Sequence, residues 1–146
     1  MTDARSSQPV KVAAGVMFRV RGELCFLSAS IVQKVIPLPE TARVPGGPAE
    51  LRGVAHVDGE MIPVIDAAAD VAQEHDQSLE RARLGGAMLV CTVMGENVGI
   101  AGVDVVATGR FEVDATSGEP KLGDEAARPF DIAPIIARVR ESRWAV

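Results

Sequence analysis

A chain of 146 residues, 47% of them apolar, can bury roughly two thirds of the surface that its unfolded form exposes, which suffices for one domain without disulfide or metal staples. A net charge of −5 and a pI near 5.0 speak against nucleic acid or an anionic membrane as partner, because such binders cluster Lys and Arg to displace counterions. Cys25 and Cys91 sit in apolar runs and are expected to be buried free thiols. The polar stretch Met1 to Pro9 lacks the apolar core of a signal peptide, and no run approaches the roughly 18 apolar residues of a membrane span, so a cytoplasmic protein is expected.

In chain order, short apolar runs occupy Val16 to Val20, Leu24 to Leu27, Ile31 to Ile36, Leu51 to Val57, Met61 to Ile65, Met88 to Val93 and Val98 to Val106. Short runs rich in Val and Ile and broken by Gly and polar pairs predict a mainly β fold, a barrel or sandwich. Val16, Phe18 and Val20 alternate with Met17 and Arg19, the period of a strand with one buried face. Hairpin turns are expected at Arg21-Gly22, Asp58-Gly59 and Gly95-Glu96. Asp58-Gly59 carries the strongest signal, because a type I′ turn needs positive φ at both central residues. Gln73 to Arg83 reads as a polar surface loop with a turn or two of helix from Ser78, and Glu112 to Pro129 as loop. Ile132, Ile135, Ile136 and Val139 share one helical face, with Asp131 as N-cap, Pro134 in the first turn, and Arg138, Arg140 and Arg143 toward the C-terminal end of the dipole.

Catalytic chemistry finds little support in these residues. A zinc site needs about four ligands at suitable spacing, and the chain offers His56, His75 and two distant cysteines. Neither histidine lies in a nucleophile motif. The glycines from Gly95 to Gly102 sit between strands instead of opening a helix, so they form no phosphate loop. Asp66, Asp104 and Asp131 each end or interrupt an apolar run and read as turn or capping groups. No enzyme activity, cofactor or metal is expected.

Val32-Gln33-Lys34-Val35-Ile36-Pro37-Leu38-Pro39, then Val44-Pro45-Gly46-Gly47-Pro48 and Leu51-Arg52-Gly53-Val54, resemble the CheW-like adaptor family of bacterial chemosensory systems. The most specific match is Gly53-Val54, Gly59 and Pro63-Val64-Ile65-Asp66. Val98-Gly99-Ile100 with Val105, and Phe130-Asp131-Ile132 with Ile135-Ile136, resemble the later strand and the closing strand and helix, so the likeness covers about residues 13 to 139. It implies two small SH3-like five-stranded barrels sharing a core, with a C-terminal helix, in a single domain over 13–146 behind a flexible tail over 1–12. It also implies a non-enzymatic adaptor that binds the cytoplasmic tip of a methyl-accepting chemoreceptor and joins an array with the histidine kinase CheA or other CheW-like proteins, without direct membrane contact. Carried over by residue, the receptor groove would comprise Val32, Val35, Ile36, Gly53, Gly99, Ile100 and Val105, a helix-in-groove mode of recognition.

Departures from the family fall at Lys34 (commonly Glu), Asp58 (commonly Arg), Ala67 and Ala68 (commonly Leu-Arg) and Val103 (commonly Asp). They are expected at kinase-facing or partner-specifying positions, where charge sets specificity. Between Val113 and Phe130 there is no room for the usual hairpin at typical strand lengths, so one barrel is expected to be trimmed. This pattern suggests a divergent accessory member, of the type of FrzB in a gliding bacterium's Frz system, with weakened or lost CheA binding. The alternatives are an ordinary coupling protein with compensating partner charges, and a ligand-binding or enzymatic barrel, which a large closed polar pocket would favour.

Overall fold

The computed structural model describes residues 10–46, 48–68 and 86–141. The expected helical turns between Gln73 and Arg83, and His75 with them, lie outside these residues. Strands β1 (Val12–Val20) and β2 (Glu23–Ser28) pair antiparallel across Arg21-Gly22, whose φ angles of 55° and 84° are those of the expected tight turn. The turn at Asp58-Gly59 behaves likewise, with φ of 51° and 83° between β4 (Leu51–Val57) and β5 (Glu60–Asp66). The third turn falls one residue earlier than expected. Val93 pairs with Glu96, so Met94 and Gly95, at 52° and 79°, are the central residues between β6 (Ala87–Val93) and β7 (Glu96–Glu112). Asn97 belongs to the strand because it continues the register opposite Thr92.

Two barrels follow from the pairing. In the second, β3 (Val32–Pro37), β6, the first half of β7, β5 and β4 lie side by side, and the segment after β3 returns to β4 through a bridge between Ala42 and Val54. In the first, β2, β1 and the second half of β7 are joined by β8 (Lys121–Leu122), β9 (Glu125–Ala126) and β10 (Arg128–Pro129), the last running parallel to β2. The 17-residue β7 thus serves both. Its crossing lies between Ala101, opposite Asp66 of β5, and Asp104, opposite Arg19 of β1.

The stretch read as loop from Glu112 to Pro129 therefore carries a hairpin after all, though a minimal one. Lys121 pairs with Ala126 and Leu122 with Glu125, while a bridge from Val113 to Pro120 ties the hairpin to the end of β7. Typical strand length was the wrong yardstick, since two-residue strands close the barrel when outside contacts pin them. Arg19 donates to both carboxylate oxygens of Glu125, at 2.8 and 3.1 Å, and Arg128 pairs with Glu23. The Arg19 guanidinium holds the Glu125 carboxyl below its usual range.

Each barrel has its own interior and both share a third core. Met17, Leu24 and Ala127 fill the first barrel; Ala55, Ile62, Val64, Met88, Val90 and Ala101 fill the second. Between them Val16, Phe18, Cys25, Leu27, Val32, Ile65, Leu89, Cys91, Val98, Ile100 and Val103 form one cluster with Ile132 and Ile136. Strands between an interior and the shared core are buried on both faces. This corrects the one-sided reading of β1, because Met17 is as fully enclosed as Phe18. Helix α1 (Ala133–Glu141) closes the shared core, as its spacing predicts: Ile132, Ile136 and Val139 are buried, worth roughly 2 kcal/mol each in area terms. The Asp131 carboxylate accepts the Ala133 N–H at 3.3 Å, the expected cap.

Burial also decides the cysteines, both free. Desolvation pushes the Cys91 thiol up to about 12 and raises that of Cys25, so neither should supply much thiolate near neutral pH. With a disulfide-exchange reagent at pH 8 the folded protein should label slowly at Cys91 and both thiols should react in denaturant. Rapid native labelling of Cys91 would mean that the shared core opens readily.

Candidate functional site

The residues that the family likeness assigns to a groove separate into two groups. Val32 is 8% exposed and Ile100 is enclosed, both in the shared core, and Val35 and Val105 lie half-buried against the same cluster. These four come together between the barrels. Ile36 packs instead on the interior of the second barrel. Gly99 faces that interior as well, since a Cβ there would stand 2.5 Å from the Met88 sulfur. Gly53, with φ of 153°, lets β4 press against the Ala42 carbonyl, 2.2 Å from where a Cβ would lie, and so permits the bridge that closes the barrel. Only Val35, Ile36 and Val105 among the seven keep partly open side chains.

Lys34 and Asp58 prove to be partners. Lys34 on β3 forms an ion pair with Asp58 at the β4–β5 turn, across the end of the second barrel. Two departures that look like separate surface inversions are therefore the two halves of one pair, whose exposed setting limits it to about 0–1 kcal/mol. Sequence reading missed the rest of this rim. Gln33 on β3 bonds Thr92 on β6 and reaches Asn97 on β7 at 3.3 Å; Thr92 donates to Asn97 at 2.8 Å; the Asn97 amide donates to Glu60 on β5 at 2.9 Å. With Lys34–Asp58 these bonds run around the barrel end. Polar residues flanking two predicted hairpin turns were the only signal.

Ala67 and Ala68 lie inward. Ala67 packs on the shared core, and Ala68 is 6% exposed. The Ala68 N–H donates to Asp66 Oδ1 at 3.0 Å, and Asp66 Oδ2 stands 3.7 Å from Arg52 Nη1, which is buried with no hydrogen-bond acceptor among the described residues. Gly102, with φ of 77°, makes space for this carboxylate: a Cβ there would lie 2.2 Å from Asp66 Oδ1. The three aspartates of the sequence analysis thus differ. Asp66 is a buried structural anchor, Asp131 caps α1, and Asp104 is exposed opposite Arg19, whose pKa is raised chiefly by its hydrogen bond to Glu125 and least by Asp104. No cluster of three His, Cys, Asp or Glu side chains suited to a metal occurs among the described residues, and His56 is exposed.

Two small β barrels that share a strand and a core, closed by one helix, define a double-barrel domain. The chain belongs to the CheW-like domain family, whose model matches residues 14–131. In fold it is similar to the scaffolding protein TtCheW from Thermoanaerobacter tengcongensis, with a TM-score of 0.60 and 19% identity, covering 83% of this chain and 90% of that one. No curated protein matches it in sequence.

Proposed function

We propose that the protein is a cytoplasmic, non-enzymatic adaptor of a bacterial chemosensory array that binds the cytoplasmic tip of a methyl-accepting chemoreceptor, with weakened binding to the kinase CheA. Family membership over most of the chain is the observation that carries the adaptor role. Val35, Ile36 and Val105, partly open beside buried cores, are the side chains best placed to meet apolar anchors of a receptor helix. Weakened kinase binding is supported by the two-residue strands of β8 and β9, which offer little area for a partner.

The pairing of Lys34 with Asp58 favours a second reading, an ordinary coupling protein. A swap that compensates itself leaves the local net charge as it would be with Glu and Arg in those places, so it gives no independent reason to lose a partner. Calorimetric titration against a receptor cytoplasmic fragment and, separately, the kinase regulatory domain distinguishes the two. Tight binding of both would establish ordinary coupling, and binding of neither would remove the adaptor role. Val35→Thr, which keeps shape but adds a hydroxyl, should weaken receptor binding by about 1 kcal/mol or more while the fold persists. Unchanged affinity would take Val35 out of the groove. Val32→Asp is unsuitable for this purpose, because a charge in the shared core should unfold the protein.

A further inference from the structure

We infer that Arg21 is a positioning residue that latches the first barrel to the second and fixes the angle between them, and with it the shape of the partner groove. The functional half of this inference rests on the adaptor reading above.

Arg21 stands at the tip of the β1–β2 hairpin, in the first barrel. Its guanidinium reaches the end of β5 in the second, where Nε and Nη2 both donate to the Ala68 carbonyl, at 3.0 and 2.5 Å. The peptide preceding this carbonyl is held as well, by the bond from the Ala68 N–H to Asp66. Asp66 donates its own N–H to Glu50 at 2.8 Å, and Ala67 donates to Ala101 of β7 at 2.8 Å. The acceptor is therefore fixed to three parts of the second barrel, and a forked donor binding it restricts direction as well as distance. The contact lies at the crossing of the shared strand. There β7 leaves Asp66 at Ala101, turns at Gly102 against the Asp66 carboxylate, and joins β1 at Asp104.

The residue type points to the same role. Arg21 has φ of 55°, a left-handed conformation that Asn or Gly adopts more easily at the first position of such a turn. A hairpin alone would be better served by Asn-Gly. An arginine held in that conformation, exposed as a residue but with its guanidinium laid in a part-buried bond on a backbone carbonyl across the barrel junction, is placed for its reach.

Arg21→Asn separates turn from latch, because it improves the turn and removes the guanidinium. Amide residual dipolar couplings in the whole protein should fit one barrel orientation in the wild type and a different relative orientation in Arg21→Asn, with Arg21→Lys in between. The affinity for the receptor cytoplasmic fragment should fall by about tenfold in Arg21→Asn. Couplings that retain the wild-type orientation would overturn the latch. A changed orientation with unchanged affinity would overturn its link to the groove. A wild type that binds no receptor fragment would defeat the adaptor reading, while the couplings would still decide the latch. Should Arg21→Asn not fold, Arg21→Lys carries the same comparison, since one ammonium cannot reproduce the fork.

Discussion

Asp66→Ala should lower stability by about 3–5 kcal/mol, a large part of the roughly 5–15 kcal/mol that holds a domain together. The Arg52 and Asp66 side chains are 11% and 8% exposed, so removal of the carboxylate leaves a cation in a nearly dry site with its Nη1 already without a hydrogen-bond acceptor among the described residues. The substitution also frees the Ala68 N–H, a buried donor that the carboxylate satisfies. Arg52→Met combined with Asp66→Asn should recover much of the loss, because the charge no longer needs a partner and the Asn oxygen can still accept from Ala68. Urea unfolding of Arg52→Met, Asp66→Asn and the variant carrying both, beside the wild type, forms the cycle that isolates the pair. A cost below about 1 kcal/mol for Asp66→Ala would show that the pair does not anchor the junction.

Phe18→Ala should cost about 3–5 kcal/mol and, more tellingly, should weaken both barrels at once. Phe18 is fully enclosed in the shared core and meets Phe130 edge to face, with ring centroids 5.6 Å apart. Its cluster draws on β1, β2, β3, β5, β6, β7 and α1, so the cavity would remove contacts common to both barrels. Hydrogen exchange at Leu24 in the first barrel and Ala55 in the second should therefore accelerate together, and a single unfolding transition should move to lower denaturant. Met17→Ala, on the opposite face of β1, removes packing from the first barrel's interior and should accelerate Leu24 more than Ala55. Two resolved transitions in Phe18→Ala would show that the barrels do not depend on a common core.

Much of the β framework is legible in the chain because Val and Ile runs bounded by turn residues have few other ways to be buried. The run from Leu51 to Val57 coincides with β4, and Arg21-Gly22 and Asp58-Gly59 form the turns that their residue types indicate. The second half of β7 was not legible. Thr108, Gly109 and Arg110 have no apolar alternation, and they are strand because β1 supplies the backbone partners. Met17 shows the same limit: period-two reasoning assigns one buried face, whereas a strand between two cores has two. Of the candidate site, the likeness to a family located Val32, Val35, Ile100 and Val105, and the structure brings these four together. The pairing of Lys34 with Asp58, 24 residues apart, arises from barrel closure, a long-range event that local spacing does not encode.

The strand common to both barrels also governs which changes of chain length the fold can absorb. Side chains on β7 alternate between faces, so one residue inserted between Glu96 and Gly102 would exchange inside for outside through the rest of the strand. Residues such as Val103, now in the shared core, would be turned from it, and a length change in one barrel would be felt in the other. An insertion just beyond Val113 meets no such penalty, because past that bridge the strand has ended and the small β8–β9 hairpin comes next, before β10 and α1. Changes of length are thus best absorbed between Val113 and Phe130, outside the strand that the two barrels share.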